Sequence, residues 1–400
     1  MMLSSSGLTR RTNLEIQFQL LCPSDPIQPL HSTRRIHMDI GIPKQKRPFD
    51  YRIGLTPMGV KILTDLGHRC YVESGAGQGS GFDDERYRQA GAQIVYATEE
   101  IYGRGQLILS VSRPTPAEFE LLQEGHILCG FLHLAVSHPA KIEILLERQV
   151  AAIAYETIQT ADGHLPVLSV ASQIAGRMIA PIAAQLLQNN SGGHGILLGG
   201  VPGVPPANVV ILGAGMVGSN AAKMFKAMGT TVYVLDTDLH KLQQVEESGC
   251  NAHTIVAYDF NIAKAVQRAD VLVGAVLIPG ARTPIVVTRE MVRAMKPRSV
   301  IMDISIDQGG CVETSHPTTY QSPTYIEEGV IHYCVPNMTG VVARTMTHAF
   351  NNAAWPYILK IAEQGLERAL ADDPALRHGL NTHDGQIVHP ALRESLGGAA

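Results

Sequence analysis

The chain lacks the features that mark nucleic-acid-binding and membrane proteins. Its 400 residues carry a formal net charge of only −4, which gives no electrostatic reason to expect a nucleic-acid or membrane partner. The longest apolar stretches, such as residues 271–280, are far shorter than the roughly 20 residues needed to cross a bilayer. We therefore predict a globular protein without either kind of partner.

Cysteine is also too scattered to indicate a disulfide framework or a metal centre. The six cysteines form no C-x-x-C pair and have no metal-ligand spacing. We expect free thiols, a reducing compartment such as the cytoplasm, and no metal site. A composition of 45% hydrophobic and 17% charged residues is typical of a globular protein with a sizeable core.

The first 37 residues differ from the rest of the chain. They contain prolines, paired arginines and serines, few acids, and no sustained amphipathic period. An organellar presequence and an upstream start codon both fit this composition, and we favour the second, with Met38 opening the folded part. At about 150 residues per domain, the remainder is long enough for two or three domains.

From Met38 onward, short apolar runs alternate with amphipathic segments. This alternation predicts an α/β fold built on parallel sheets. A longer helix is predicted at residues 172–188, with a kink at Pro181, and it would bridge two domains. The Gly- and Pro-rich residues 191–207 then separate it from a second, doubly wound domain.

The most informative segment is residues 209–236, where an apolar strand leads into a glycine-rich turn, a helix, a second strand and an acid. We expect tight turning at Gly213, close approach of a pyrophosphate at Gly215, and helix packing at Gly218. Asp236 ends the second strand, where a carboxylate binds ribose hydroxyls and repels a 2′-phosphate. The pattern predicts a dinucleotide site that favours NAD over NADP. The alternative is a glycine turn that merely connects a strand to a helix.

Several further segments, taken in order, resemble the alanine dehydrogenase family, which also includes the nucleotide-binding part of nicotinamide nucleotide transhydrogenases. They read FLHLA, AYET, AGRM, VLIPGA and DQGG, together with the glycine turn. The resemblance runs from about Met38 to the C-terminus. It implies reversible oxidative deamination of L-alanine to pyruvate and ammonia by a hexamer of identical chains that uses NAD.

The same resemblance implies the domain organisation. Residues 38–170 and 346–400 would form a substrate domain, and residues 171–345 an inserted NAD-binding domain. Both would be Rossmann-like and doubly wound, with a cleft between them that closes over the cofactor.

Three residues match the positions that carry out catalysis in the family. Arg52 would grip the substrate carboxylate, His133 would act as acid and base near neutral pH, and Asp307 would activate water. Without the resemblance, a surface arginine is the better interpretation of Arg52, and a structural histidine is at least as good an interpretation of His133. Asp303, on the same strand as Asp307, competes with it for the catalytic role.

Further positions match cofactor contacts of the family. Lys241 follows the ribose acid, although a solvated helix lysine is an equally good interpretation. Backbone groups at Val276 and Leu277 should line the nicotinamide pocket. The complete predicted set, apart from the three glycines and Asp236, is Ser172, Met216, Val217, Lys241, Ala257, Val276, Leu277 and Asn337.

One segment departs from the family. Where alanine dehydrogenases carry Lys-Val-Lys-Glu-Pro, with the second lysine on the substrate, this chain has serines at Ser110 and Ser112, followed by Arg113. Arg113 could replace the lost cation only if the chain turns at this point, because neighbouring residues in a strand face opposite sides. Gln45, Gln173 and Ala257 also differ from the usual family residues. We place Ser112 and Arg113 among the candidate substrate-binding residues.

Three functions therefore remain open. The first is an alanine dehydrogenase that has replaced its lysine. The second is a related NAD-dependent oxidoreductase acting on another amino or keto acid, with Ser112 offering room and a hydroxyl. The third is a catalytically weak NAD-binding protein, against which the joint presence of Arg52, His133 and Asp307 argues.

Overall fold

Two parallel β-sheets follow one another along the chain. The computed structural model describes residues 36–396, so the prediction of an N-terminal extension falls almost entirely outside the described residues. The strands within that range are β1 (Asp39–Ile42), β2 (Arg69–Glu73), β3 (Gln93–Val95), β4 (Leu107–Ser112), β5 (Ile127–Phe131), β6 (Ala151–Ala154), β7 (Asn208–Leu212), β8 (Thr231–Asp236), β9 (His253–Val256), β10 (Val271–Gly274), β11 (Val300–Asp303), β12 (Thr324–Glu327), β13 (Val330–Tyr333), β14 (Leu380–His383) and β15 (Gln386–Ile387).

Helices connect most of these strands and cover both sheets. They are α1 (Pro57–Asp65), α2 (Asp84–Gln89), α3 (Thr98–Arg104), α4 (Pro116–Phe119), α5 (Pro139–Glu147), α6 (Pro166–Leu186), α7 (Met216–Ala227), α8 (Leu239–Glu247), α9 (Asp259–Arg268), α10 (Arg289–Arg293), α11 (Ala343–Gln364), α12 (Leu366–Asp372), α13 (Pro374–Gly379) and α14 (Pro390–Ser395). Several begin with a proline in the first turn, where the missing N–H costs no hydrogen bond.

The two sheets share the same central topology. The first has the order β15-β14-β6-β5-β4-β1-β2-β3, and the second has the order β12-β13-β11-β10-β7-β8-β9. In each, the six parallel strands follow the doubly wound order 3-2-1-4-5-6. The predicted class, α/β with two Rossmann-like doubly wound sheets, is confirmed. The order reverses between β1 and β4 in the first sheet and between β7 and β10 in the second.

Both faces of each sheet are covered by apolar side chains. Along β7, Val209 and Ile211 belong to one hydrophobic core, while Val210 and Leu212 belong to another on the opposite face. Burial on both sides explains why the sequence of β7 is continuously apolar instead of alternating.

Helix α6 joins the cores of the two sheets. Val167, near its start, packs in the core of the first sheet, whereas Ala175 and Ile179 pack in that of the second. At Gly176 an added Cβ would lie 2.5 Å from the carbonyl oxygen of Val217, so α6 and α7 approach closely. Among the described helices α6 is long and apolar enough to cross a membrane, but it serves here as a core helix. It starts six residues before the predicted 172–188 and continues past Pro181.

Antiparallel strands at the sheet edges were missed by the sequence prediction. Strand β12 pairs antiparallel with β13, and β14 pairs antiparallel with β6 and with β15. These strands are only two to four residues long, too short to give a recognisable period. Through β14 and β15 the C-terminal part of the chain returns to the first sheet.

Candidate active site

One pocket is formed by loops that follow the carboxyl ends of strands in both sheets, together with α6. This is where doubly wound folds bind ligands. Its described lining comprises Arg52, Phe131, His133, Leu168, Ala171, Ser172, Ala175, Val217, Ala275, Val276, Leu277, Ile304, Ser305, Asp307, Gln308, Val335, Asn337, Met338 and Thr339. Eight of the predicted site residues therefore meet here: Arg52, His133, Ser172, Val217, Val276, Leu277, Asp307 and Asn337.

The three glycines of the turn after β7 have the distinct local geometries that their predicted roles require. Gly213 has a φ of 103°, and a Cβ there would lie 2.3 Å from the carbonyl oxygen of Ala275. At Gly218 a Cβ would lie 1.8 Å from the carbonyl oxygen of Gly213, so only glycine allows α7 to start so close to the turn. At Gly215 a Cβ would meet open space, the room that a pyrophosphate needs.

Asp236 lies beside this turn at the end of β8. Its Oδ2 accepts a hydrogen bond from the Ala214 backbone N–H at 2.7 Å, and its Oδ1 accepts one from the Asp238 N–H at 2.9 Å. Each oxygen keeps further acceptor capacity. The carboxylate is thus fixed in orientation and still able to accept ribose hydroxyls, so the residues present fit an NAD adenosine.

The remaining cofactor candidates lie at different distances from the pocket. Met216 and Val217 form the first turn of α7, directly after the glycine turn. The Ala257 N–H donates to the Asp236 carbonyl oxygen at 3.0 Å, which brings the end of β9 beside the ribose acid. Lys241 is exposed on α8, with its Nζ 3.9 Å from Asp238 Oδ2, a geometry equally compatible with a solvated lysine.

Arg52 is buried, with 2% of its surface exposed, and its guanidinium is extensively bonded within the protein. Its Nε and Nη2 donate to the two oxygens of Asp50, both at 2.7 Å. Nη1 also donates to Thr339 Oγ1 at 3.3 Å. The planar fork expected to hold a substrate carboxylate is therefore occupied by Asp50, and the pair carries no net charge.

Asp50 is held in its ionised form by this arrangement. Burial alone would raise its pKa, but the charge and hydrogen bonds of Arg52, with a hydrogen bond from Ser112, lower the pKa below its ordinary value of 3.8. Asp50 thus remains the counterion of Arg52 at neutral pH.

Ser112 joins the same buried cluster. Its hydroxyl donates to Asp50 Oδ2 at 2.6 Å and accepts from Arg52 Nη2 at 2.8 Å and from Asn337 Nδ2 at 3.1 Å. Its N–H donates to Gln45 Oε1 at 2.9 Å. One donor and two acceptor positions are all that a hydroxyl has. The idea that Ser112 offers a hydroxyl to the substrate is not supported by this geometry.

His133 follows β5 in a left-handed conformation, with a φ of 45°. Such a backbone is uncommon for residues other than glycine and is often found at functional sites. The ring lines the pocket and stacks near Phe131, with the ring centroids 6.5 Å apart. Its Nδ1 is buried without a hydrogen-bond partner among the described residues and lies 4.0 Å from Glu156 Oε1.

Glu156 and Arg113 both bond to the backbone of His133, Glu156 to its N–H group and Arg113 to its carbonyl oxygen. The Glu156 carboxylate accepts hydrogen bonds from the N–H groups of Leu132, at 3.1 Å, and of His133. Arg113 Nη1 donates to the carbonyl oxygens of Leu132, at 3.4 Å, and of His133, at 3.0 Å. These contacts stabilise the turn that presents the imidazole to the pocket. They also bring the Arg113 side chain to the backbone of His133, although Arg113 does not itself line the pocket.

Asp303 and Asp307 were the two candidates for the catalytic aspartate, and the structure places them in different surroundings. Asp303 is fully buried, accepts hydrogen bonds from the N–H groups of Ser305, Cys311 and Val312, and has a pKa raised chiefly by burial. Asp307 lines the pocket, where its Oδ1 accepts the Asn337 N–H at 3.0 Å. Only Asp307 is positioned to meet a ligand.

Asn337 connects the loops of the two sheets. Its Oδ1 accepts from Arg52 Nη2 at 3.0 Å, its Nδ2 donates to Ser112, and its N–H donates to Asp307. The residue has a left-handed φ of 54°, a conformation that asparagine tolerates better than most side chains.

Three residues of the site were missed by sequence reasoning. Glu156 lies within the AYET segment used for the family resemblance, and Asp50 lies two residues before Arg52, so both had a signal in their neighbourhood. Thr339 lies two residues after the predicted Asn337, but its contact with Arg52 is made only through the fold.

Comparison with known proteins identifies the family. Residues 41–175 match the model of the N-terminal domain of alanine dehydrogenase/PNT, and residues 180–390 match that of the C-terminal domain. A solved L-alanine dehydrogenase superposes with a TM-score of 0.81 at 43% identity, covering 91% of this chain and all of that one. A transhydrogenase from Sinorhizobium meliloti shares the fold, with a TM-score of 0.70 at 24% identity over 88% of this chain and 99% of that one.

Named relatives lead to the same family. The alanine dehydrogenase of Methanococcus maripaludis is 47% identical over 360 residues, which is 90% of this chain and 96% of that protein. The alanine dehydrogenase of Mycobacterium tuberculosis is 44% identical over 361 residues, again 90% of this chain and 97% of that protein. The resemblance predicted from the sequence is confirmed: the chain belongs to the alanine dehydrogenase/PNT family.

Proposed function

We propose that this protein is an NAD-dependent enzyme that converts L-alanine reversibly to pyruvate and ammonia. The observation that carries this proposal is the meeting of Arg52, His133 and Asp307, from three separate loops, in one pocket beside the glycine turn. A protein that only binds nucleotides has no need for these three groups together. Relatives of similar length that carry the name alanine dehydrogenase support it.

Bound NAD would supply the hydride acceptor, and the protein would supply binding and proton transfer. His133 would exchange protons with the amino or carbonyl group, since an imidazole can both donate and accept a proton. Asp307 would orient and deprotonate the water that converts the imine to the ketone. Glu156 would keep the imidazole in place through the hydrogen bonds that it accepts from the backbone N–H groups of Leu132 and His133.

The cofactor-binding role is assigned to the second sheet. The glycine turn would receive the pyrophosphate, and Asp236 would bind the adenosine ribose and select NAD over NADP. Ser172 would contact the cofactor phosphates, and Val276, Leu277 and Asn337 would border the nicotinamide.

We extend the proposal to the organisation of the protein. Residues 38–170 with 346–400 form the substrate domain and residues 171–345 the NAD-binding domain. The enzyme is a cytoplasmic homohexamer. Light scattering of the purified protein tests the assembly, and a monomer would contradict it.

A second candidate function is favoured by the substrate side of the pocket. Asp50 occupies the fork of Arg52, and serine stands where the resemblance implies a lysine, so the substrate side offers one cation fewer than that resemblance implies. The alternative is therefore the same reaction on another 2-amino or 2-oxo acid.

The test is NADH oxidation by the purified protein with ammonia and a panel of 2-oxo acids that includes pyruvate. We expect turnover of pyruvate, dependence on ammonia, and little activity with NADPH. The variant His133→Ala should lose this turnover while its NADH affinity stays within a few-fold, because the ring is outside the glycine turn. His138→Ala, at an exposed histidine five residues away, is the matched control. Full activity of His133→Ala, or no turnover of any 2-oxo acid, would overturn the proposal.

A further inference from the structure

Three positively charged side chains on the segments that follow β1, β4 and β5 have no carboxylate partner, and one of them, Arg113, bonds to the backbone of the pocket residue His133. Arg52 is neutralised by Asp50, but no carboxylate of the described residues lies within ion-pair distance of Arg47, Arg113 or Lys141. All three are half-buried, so water screens their charges only in part. Structural cations at such positions normally pair with acids. Lys141 has instead an aromatic contact, with its Nζ 5.7 Å from the centroid of the Phe119 ring.

The three side chains come from neighbouring parts of the first sheet. Arg47 lies in the loop after β1, Arg113 directly after β4, and Lys141 in the first turns of α5, which follows β5. Arg47 Nε donates to the Arg113 carbonyl oxygen at 3.2 Å, which joins the first two segments. The carboxyl ends of β1 and β4 flank the point where the strand order of this sheet reverses, the place where such a sheet binds ligands.

Arg113 keeps unused donors in this arrangement. Its Nη1 binds the His133 carbonyl oxygen and Ser137 Oγ, but its Nε is buried without a partner among the described residues. A buried donor without an acceptor costs free energy, so an acceptor supplied by a ligand would be favourable.

The electrostatics point the same way. Burial, followed by the charge of Arg47, lowers the pKa of Arg113. Burial, followed by the charges of Arg113 and Arg47, lowers the pKa of Lys141. The acids whose charges reach Arg113 are Glu156 and Asp307, and both already accept backbone hydrogen bonds elsewhere. The three positive charges therefore repel one another, and a bound anion would reduce this repulsion.

We propose that Arg47, Arg113 and Lys141 form an anion subsite beside His133 that receives a second carboxylate of the substrate. The proposal rests on the proposed function, and it names the substrate class: besides pyruvate, the enzyme accepts 2-oxo and 2-amino acids with an acidic side chain. Oxaloacetate and 2-oxoglutarate are the simplest such oxo acids.

The anion belongs to the substrate and not to the cofactor because of where the cluster lies. The cofactor phosphates are assigned to the glycine turn of the second sheet, whereas all three cations stand on loops of the first sheet. Arg113 is bonded to the backbone of His133, whose ring lines the pocket. A substrate held at the His133 ring therefore has Arg113 as the nearest member of this cluster.

The experiment compares substrates with and without the second charge. Initial rates of NADH oxidation with ammonia are measured for pyruvate, 2-oxobutyrate, oxaloacetate and 2-oxoglutarate, with wild type, Lys141→Gln and Lys61→Gln. Lys61 is an exposed lysine paired with Asp65 and serves as the charge-matched control. We expect kcat/KM for at least one acidic oxo acid to exceed that for 2-oxobutyrate. Lys141→Gln should lower that value by about tenfold, the usual effect of losing one charged hydrogen bond, and leave pyruvate turnover unchanged.

A binding measurement separates failure of the subsite from failure of the proposed function. Malonate, which has two carboxylates, should bind the NADH-saturated protein in calorimetry, with affinity reduced about tenfold in Lys141→Gln and unchanged in Lys61→Gln. If pyruvate is turned over but acidic oxo acids are no better than 2-oxobutyrate and Lys141→Gln changes nothing, the subsite is overturned and the proposed function stands. If no oxo acid is turned over while malonate still binds through Lys141, the proposed function fails and the subsite stands.

Discussion

At the scale of single residues, Ser112 decides how Asp50 and Arg52 pair. Its hydroxyl is small and neutral, so it bonds to both groups and leaves the carboxylate with Arg52 as its counterion. The family places a lysine at this position, and an ammonium there would lie against Asp50. With serine at position 112, the Asp50 carboxylate pairs with Arg52. Arg52 then has fewer N–H donors left to offer a ligand.

Ser112→Lys should lower the KM for pyruvate. The new ammonium would pair with Asp50 and release part of the Arg52 fork, restoring a charged hydrogen bond to the substrate that corresponds to about tenfold in KM. Steady-state kinetics with NADH and ammonia measure this. Ser112→Met supplies comparable length without charge and should not lower KM. An equal fall in both variants would attribute the effect to bulk and contradict the electrostatic account.

At the scale of elements, the turn between β7 and α7 makes separate use of its glycines. Gly215 has an ordinary φ of −70° and faces open space, whereas Gly218 lies against the carbonyl oxygen of Gly213. The same substitution at these two positions should therefore have different effects, one on binding and one on folding.

We expect Gly215→Ala to weaken NADH binding by about tenfold or more, because its methyl group occupies space that the pyrophosphate needs. Its free energy of unfolding should stay within about 0.5 kcal/mol of wild type. Gly218→Ala forces the turn and α7 apart and should cost about 1–3 kcal/mol in unfolding free energy. Urea unfolding and NADH fluorescence titration give both quantities. A loss of stability in Gly215→Ala equal to that in Gly218→Ala would refute the distinction.

This contrast also explains which features the sequence could predict. The parallel strands and the glycine turn were predicted correctly because apolar period and turn geometry are local properties of the chain. The strands β14 and β15 were missed because β14 pairs with β6, a distant segment of the chain, and β15 pairs with β14. The pairing of the Arg52 guanidinium with Asp50 was also missed. It depends on side chains that only the fold brings together, and Thr339, one of the partners of Arg52, is 287 residues away from it in the sequence.

At the scale of the whole molecule, the pocket depends on contacts between the loops of two sheets. Asn337 lies after β13 of the second sheet. Its side chain bonds to Arg52, which lies in the loop after β1, and to Ser112, the last residue of β4, and both of these strands belong to the first sheet. Because Arg52 and Asp307 both contact Asn337, this residue sets their relative position. The substrate-binding geometry is therefore a property of how the two sheets meet.

Asn337→Gly tests this coupling without adding backbone strain, because glycine adopts the left-handed φ of 54° freely. Losing two partly buried hydrogen bonds should lower the free energy of unfolding by about 1–3 kcal/mol and raise the KM for pyruvate. The affinity for NADH should fall by no more than a few-fold, since Asn337 borders only the nicotinamide end of the cofactor and the glycine turn is untouched. Urea unfolding, steady-state kinetics and NADH titration measure the three quantities.

Asn337→Ala provides the comparison, because it removes the same side-chain bonds and adds the cost of a left-handed backbone, about 1–2 kcal/mol. Its KM for pyruvate should match that of Asn337→Gly, while its unfolding free energy should be lower. If both variants lose stability but keep the wild-type KM, Asn337 only holds the fold together. A shared rise in KM at different stabilities would instead show that the contact between the sheets positions Arg52 for the substrate.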